Sequence, residues 1–203
     1  MKKYIKYIVF IGLIIILVVG LNWPTNNEVI NVEMSVKDYG KLTLELDKEN
    51  APITVDNFVK LVNNKFYDGL TFHRIIDGFM IQGGDPNKDG TGGSKETIKG
   101  EFKNNGVNNI ISHKRGVISM ARSSDANSAS SQFFIMHKDN TNLDGSYAAF
   151  GHVISGMDVV DTIVKNTSTY GDENGIVPVD KQPVIEYIKI IKNEKTTEKQ
   201  FLF

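Results

Sequence analysis

Helical periodicity is confined to two stretches of this 203-residue chain, set far apart, while strand-like runs recur throughout. The first helical stretch, Ala51 to Lys65, carries Val55, Phe58, Val59 and Val62 on one face. Pro52 suits its first turn, and Thr54 or Asn50 is the candidate cap. The second, Gly156 to Lys165, turns Met157, Val160, Ile163 and Val164 inward. Eight short strands are predicted around them. Val29 to Val36 and Lys41 to Asp47 alternate as a hairpin, with Leu42, Leu44 and Leu46 facing in. Two more lie within Thr71 to Asp85, divided at Asp77-Gly78. The others are Gly116 to Ala121, Gln132 to Met136, Ala148 to Ile154 and Val184 to Ile191. Two helices so placed cannot serve repeated βαβ units. The pattern predicts a mainly β fold, a closed antiparallel β-barrel, because closure leaves no bare edge. No internal repeat of 20–50 residues is visible.

The two ends differ from the body. Met1 to Lys6 is basic, Tyr7 to Leu21 is an unbroken run of apolar and glycine residues, and the stretch Ile5 to Trp23, broken only by Lys6 and Asn22, comes close to the roughly 20 residues that cross a bilayer. Trp23 sits where an interfacial anchor would. An uncleaved signal anchor over 1–23 is favoured over a cleaved signal peptide, since Val18-Val19-Gly20 matches a cleavage site poorly. The lysines would stay inside, leaving a single-pass protein whose body is extracytoplasmic. Cleavage would instead secrete it. Residues 24–28 read as a linker, 29–193 as one domain and 194–203 as a charged tail ending in Phe201-Leu202-Phe203.

Composition excludes several chemistries. Formal net charge is −1, and the three lysines of the N-terminal segment leave the remainder at −4, so no footprint for nucleic acid exists. Without cysteine there is no disulfide and no thiolate catalysis. His73, His113, His137 and His152 form no H-x-x-x-H pair, so neither a metal site nor another cofactor is expected. Gly90-Thr91-Gly92-Gly93 is no phosphate loop, for G-x-x-x-x-G-K-[ST] is absent. The glycine-rich stretch from Gly83 to Asn109 reads as a long loop, and such loops tend to carry function.

The stretch Thr71 to Asp85, TFHRIIDGFMIQGGD, remains. It sets Arg74 among Phe72, Ile75, Ile76, Phe79, Met80 and Ile81, then places Gln82 before Gly83-Gly84. A cation in such company is costly unless paired or used. Arg74 is either a strand-edge residue reaching for water or a rigid donor fork beside an apolar pocket. One arginine, apolar walls and amides suit a reaction without proton transfer or a covalent intermediate.

The blocks Phe72 to Ile76, Gly78 to Asp85, Gly90 to Gly93, Gly116 to Ala121, Ser131 to Ile135, Leu143-Asp144-Gly145 and Phe150 to Val153, in this order, resemble the cyclophilins, the cyclosporin-type peptidyl-prolyl cis–trans isomerases. The resemblance covers roughly residues 30–192 and implies an eight-stranded antiparallel barrel capped by two α-helices, acting as a monomer on proline-containing polypeptides. It implies Arg74 as the catalytic residue and Phe79, Met80, Phe134 and Leu143 as the proline pocket. Gln82, Ala121, Arg122 and Gln132 match positions that hold the peptide or flank the pocket. Two positions depart from the best-known pattern: Asn142 stands where a Trp precedes Leu-Asp-Gly, and Tyr147 where a His follows it. Tyr147 keeps an apolar ring at the site, whereas Asn142 implies weak cyclosporin sensitivity. With the N-terminal segment, the expected role is assisting the folding of exported chains; the alternative is a Pro-peptide-binding chaperone module without turnover.

Overall fold

The computed structural model describes residues 29–191. The expected anchor, linker and tail lie outside the described residues. The elements in chain order are β1 (Ile30–Val36), β2 (Gly40–Leu46), α1 (Pro52–Asn63), β3 (Phe72–Ile76), β4 (Met80–Gly83), β5 (Val117–Met120), β6 (Phe133–Met136), β7 (Ala149–Ser155), α2 (Met157–Thr167) and β8 (Ile185–Ile191). All eight expected strands and both expected helices are among them. No helix of the described residues is long and apolar enough to cross a membrane.

The strands form one curled sheet in the order β3-β4-β6-β5-β7-β2-β1-β8, antiparallel throughout. Full closure, expected from the sequence, is not found. The edge strands β3 and β8 meet only at their starts, through a single bridge between Thr71 and Val184. The Phe72 N–H donates to Pro183 O at 3.0 Å, and the Ile185 N–H to Leu70 O at 2.8 Å. Further along, residues 175–177 occupy the edge of β3. Ile75 N–H donates to Gly175 O (2.8 Å), and Val177 N–H donates to His73 O (2.9 Å). The result is an open half-barrel whose exposed edge is covered by a loop instead of by β8.

Because strand residues face alternate sides, the curl creates two apolar regions. The inner one is the main core. There Phe133, fully buried, meets Phe58, Tyr67 and Phe72 at centroid distances of 5.8, 5.6 and 6.0 Å, all near edge-to-face. Helix α1 packs onto this core with Val55, Phe58, Leu61 and Val62. Pro52 takes the first turn as expected, but neither Asn50 nor Thr54 caps. Asn50 instead bonds Asp47. The cap comes from the long loop: the buried Glu101 carboxylate accepts from Ile53 N–H (3.0 Å), Thr54 N–H (2.7 Å) and Thr54 Oγ1 (2.7 Å). A negative group at a helix N-terminus satisfies orphan donors and meets the positive end of the dipole.

Removing Glu101 strands three donors, of which the N–H and hydroxyl of Thr54 are buried. Glu101→Ala is expected to lower unfolding free energy by about 2–4 kcal/mol in urea titration, given the usual cost of a lost cap and of unsatisfied buried groups. An unchanged midpoint would show that the loop does not hold the helix.

Candidate functional site

The outer face of the curled sheet carries a row of side chains set by register alone. Arg74 of β3 stands opposite Gln82 of β4, Gln82 opposite Phe134 of β6, and Phe134 opposite Ser119 of β5. A parallel row runs Ile76, Met80 and Met136. Paired residues share a face. Phe134 therefore points out where its neighbour Phe133 points in.

This outer face holds the second apolar cluster. Met80, Val117, Phe134, Met136 and Ala149 are buried in it, and Phe79, Ala121, Leu143 and Tyr147 pack around them. The Phe134 and Tyr147 rings lie edge to face at 5.7 Å. Beside the cluster runs a chain of polar bonds. Arg74 Nε donates to Asn174 O (2.8 Å), and Arg74 Nη1 donates to Gln82 Oε1 (3.3 Å). Gln82 Nε2 donates to Gln132 Oε1 (2.8 Å), and Gln132 Nε2 donates to Gly92 O (2.7 Å) and Gly90 O (3.0 Å). The guanidinium is thus aimed by two partners, while its Nη2 carries no hydrogen bond among the described residues. Burial pulls its pKa below the ordinary guanidinium value, against the pull of Tyr147 and Asp172. It stays charged, since arginine starts so high.

A polar pocket of about 260 Å³ adjoins the cluster, walled by Gln82, Ala121, Arg122 and Gln132 with residues of the glycine and serine loops. Arg122 does more than flank it. Its guanidinium lies between the rings of Phe102 (5.1 Å) and Tyr147 (5.0 Å), and its Nε donates to Ser146 O (3.0 Å). Asn142 is exposed in a short 3₁₀ turn, Thr141–Leu143, at the rim. The structure brings all ten sequence-predicted site residues to this one face.

Comparison with known proteins gives the family. Residues 31–194 match the family model described as cyclophilin type peptidyl-prolyl cis-trans isomerase. The chain belongs to the cyclophilin family. Peptidyl-prolyl cis-trans isomerase A of Dickeya dadantii is 43% identical over 159 residues, covering 75% of this chain and 80% of that protein. Peptidyl-prolyl cis-trans isomerase B of Bacillus subtilis is 46% identical over 123 residues, covering 61% and 82%. A crystal structure of a Cryptosporidium parvum cyclophilin, determined in the presence of the dipeptide Ala-Pro, superposes with a TM-score of 0.70 at 32% identity, over 80% of this chain and 99% of that one. This cyclophilin is accordingly a peptidyl-prolyl cis-trans isomerase.

Three parts of the cyclophilin's site were not read from sequence. Asn174, a hundred positions beyond Arg74, holds it through a backbone carbonyl, which no side-chain pattern reports. His113 and Asp144 are the other two, a hydrogen-bonded pair beside Phe134 and Tyr147. The buried His113 ring stacks on Phe134 (5.9 Å, 18°) and meets the Tyr147 edge at 6.5 Å. Its Nδ1 lies 2.8 Å from Asp144 Oδ1, and its Nε2 lies 3.0 Å from Ser119 Oγ. Burial alone would raise the Asp144 pKa. The His113 N–H, the Ser112 hydroxyl and the His113 ring together hold it below the ordinary carboxylate value. An ionised Asp144 fixes the proton on Nδ1, so that Nε2 accepts from Ser119. Spacing gave His113 and Asp144 no signal, since 31 residues separate them. Among the described residues, no three of His, Asp and Glu are grouped to hold a metal ion.

Both fully buried histidines have pKa values below the ordinary 6.5. For His73 burial dominates, opposed by Asp85 and aided by Arg74. For His113 burial dominates, opposed by Asp144. The unfolded chain therefore binds these protons more readily than the folded one, and stability is lost as pH falls below 6.5. The melting temperature is expected to fall steadily from pH 7 toward pH 5, before most carboxylates titrate. A flat or rising profile in that window would contradict the assignment.

Proposed function

We propose that Arg74 is the catalytic residue of this isomerase and that Phe79, Met80, Phe134, Leu143 and Tyr147 hold the proline ring of a polypeptide substrate. The observation that carries the reading is the outer-face row: a guanidinium aimed by Gln82 and Asn174 beside an apolar cluster centred on Phe134. A relative crystallised with Ala-Pro supports a proline-containing substrate.

The chemistry follows from the bond. Nitrogen lone-pair resonance makes an X–Pro amide resist rotation, with a barrier of about 18–20 kcal/mol. At the twisted transition state resonance is lost and the lone pair localises on the prolyl nitrogen. A fixed donor there binds the twisted form better than the planar one, which is what lowers a barrier. Arg74 is always charged and planar, and Nη2 is its unengaged corner. The cluster grips the ring so that the flanking peptide turns about it, and by excluding water it strengthens the charged bond. Each 1.36 kcal/mol is tenfold, so a thousandfold gain needs roughly 4 kcal/mol. Gln82, Ala121, Arg122 and Gln132, which line the adjoining polar pocket, hold the peptide on either side. No proton moves and no cofactor takes part.

Arg74→Ala is expected to lower kcat/KM for cis–trans exchange of a short X-Pro peptide by about 10²–10³, as loss of a transition-state donor does elsewhere. Arg74→Lys, a point charge without the fork, recovers only part. A full rate in Arg74→Ala would end the assignment.

The setting is part of the same proposal. The basic start, the run from Tyr7 to Leu21 and Trp23 support a tether over 1–23, with the isomerase domain outside the membrane and acting as a monomer on exported chains. Mass spectrometry of a membrane fraction is expected to find the N-terminus intact. A mature chain beginning near Leu21 in the medium would favour secretion instead.

A further inference from the structure

The β4–β6 ladder ends at Met80 opposite Met136, one step short of the turn that presents Phe79. The next residue of the partner, His137, continues the pairing by other means. Its N–H donates to Phe79 O (2.9 Å), and its imidazole Nδ1 accepts from Gly78 N–H (3.1 Å). Gly78 has φ of 74°, a left-handed conformation that glycine adopts freely, and Phe79 N–H closes the turn onto Ile76 O at 3.1 Å. His137 therefore grips the turn from both sides, by backbone at Phe79 and by side chain at Gly78.

The ring is held in turn. Its side chain is only 12% exposed, and Nε2 lies 3.3 Å from Asp161 Oδ1 on α2. Arg115 takes both oxygens of Asp161 at 2.8 Å and donates to His137 O at 2.8 Å. The Arg115 N–H is fixed by Asp139 (2.7 Å), itself paired with Lys114. Asp77 Oδ1 stands 3.4 Å from Nδ1, and the donor that this nitrogen meets is Gly78 N–H. With Nδ1 accepting from Gly78 N–H, Nε2 is the nitrogen that faces Asp161.

We propose that His137 is a positioning residue of the isomerase. Through Gly78 N–H it sets the turn from which Phe79 enters the proline pocket, and Arg115 with Asp161 sets the ring. The inference rests on the reading of Phe79 as a pocket wall. It concerns ground-state grip on the proline, so it acts on KM more than on kcat.

Three substitutions in the full chain separate this role from bulk stability. Asn places its Oδ1 where Nδ1 sits, Gln reaches instead toward the Nε2 position, and Leu does neither. His137→Leu is expected to raise KM for an X-Pro peptide about fivefold with kcat changed less than about twofold, the scale of one lost hydrogen bond. His137→Asn restores KM and His137→Gln does not. Amide hydrogen exchange at Gly78 reports the contact independently of turnover: slow in the parent and in His137→Asn, faster in His137→Leu and His137→Gln. Unchanged Gly78 exchange in His137→Leu would overturn the role, as would rescue by Gln and not by Asn. Faster exchange with unchanged KM would also overturn it, and Phe79→Ala then tells why: an unchanged KM there means that Phe79 is not a pocket wall.

Discussion

Successive residues of a strand must face opposite ways, and this constraint places nearly every side chain of consequence here. In β6 it sends Phe133 into the aromatic core and Phe134 out to the site. In β4 it buries Ile81 inside while Met80 and Gln82 look outward. The core and the site are therefore two readings of the same four strands. A slip of one residue would exchange them, exposing Phe133 and burying Gln82. The fold cannot lose its register and keep the outer-face row, so the pressure to pack the interior also aligns that row.

Much of this was legible in the chain. Alternation marked β1, β2 and β8; short apolar runs marked β5 and β6; and a three-to-four spacing marked both helices. The opposite facing of Phe133 and Phe134 follows from their adjacency alone. The ambiguity over Arg74 was not resolvable locally. Both readings hold in part, for the guanidinium is half-buried at the edge of β3 and is also fixed beside an apolar cluster. Only the resemblance of several separated blocks pointed to the second role.

What sequence could not show are contacts across long separations made by backbone or by loops. The cap of α1 illustrates this. Local rules nominated Asn50 and Thr54, but Glu101 fills the role from a loop some fifty residues on, and Thr54 is its client. The hold on Arg74 by the Asn174 carbonyl is of the same kind. So is the failure of full closure: a strand's edge offers its hydrogen bonds to whatever segment arrives, and residues 175–177 arrive before β8 can. The contacts of the Arg122 guanidinium with Phe102 and Tyr147 are likewise long-range, and they tie the glycine-rich loop to the rim of the site.

The pairing of β1 with β8 carries a consequence for how such a domain is carried. Asn31 lies opposite Ile191, so the first and last described strands end side by side. In the sheet order, β1 and β2 stand three to five places from β4 and β6, which carry part of the outer-face row. The described part of the domain therefore begins and ends on neighbouring strands of one ladder. That ladder shares no strand with the outer-face row on β3, β4, β5 and β6, so a change where the described chain begins or ends falls on strands that carry none of the row.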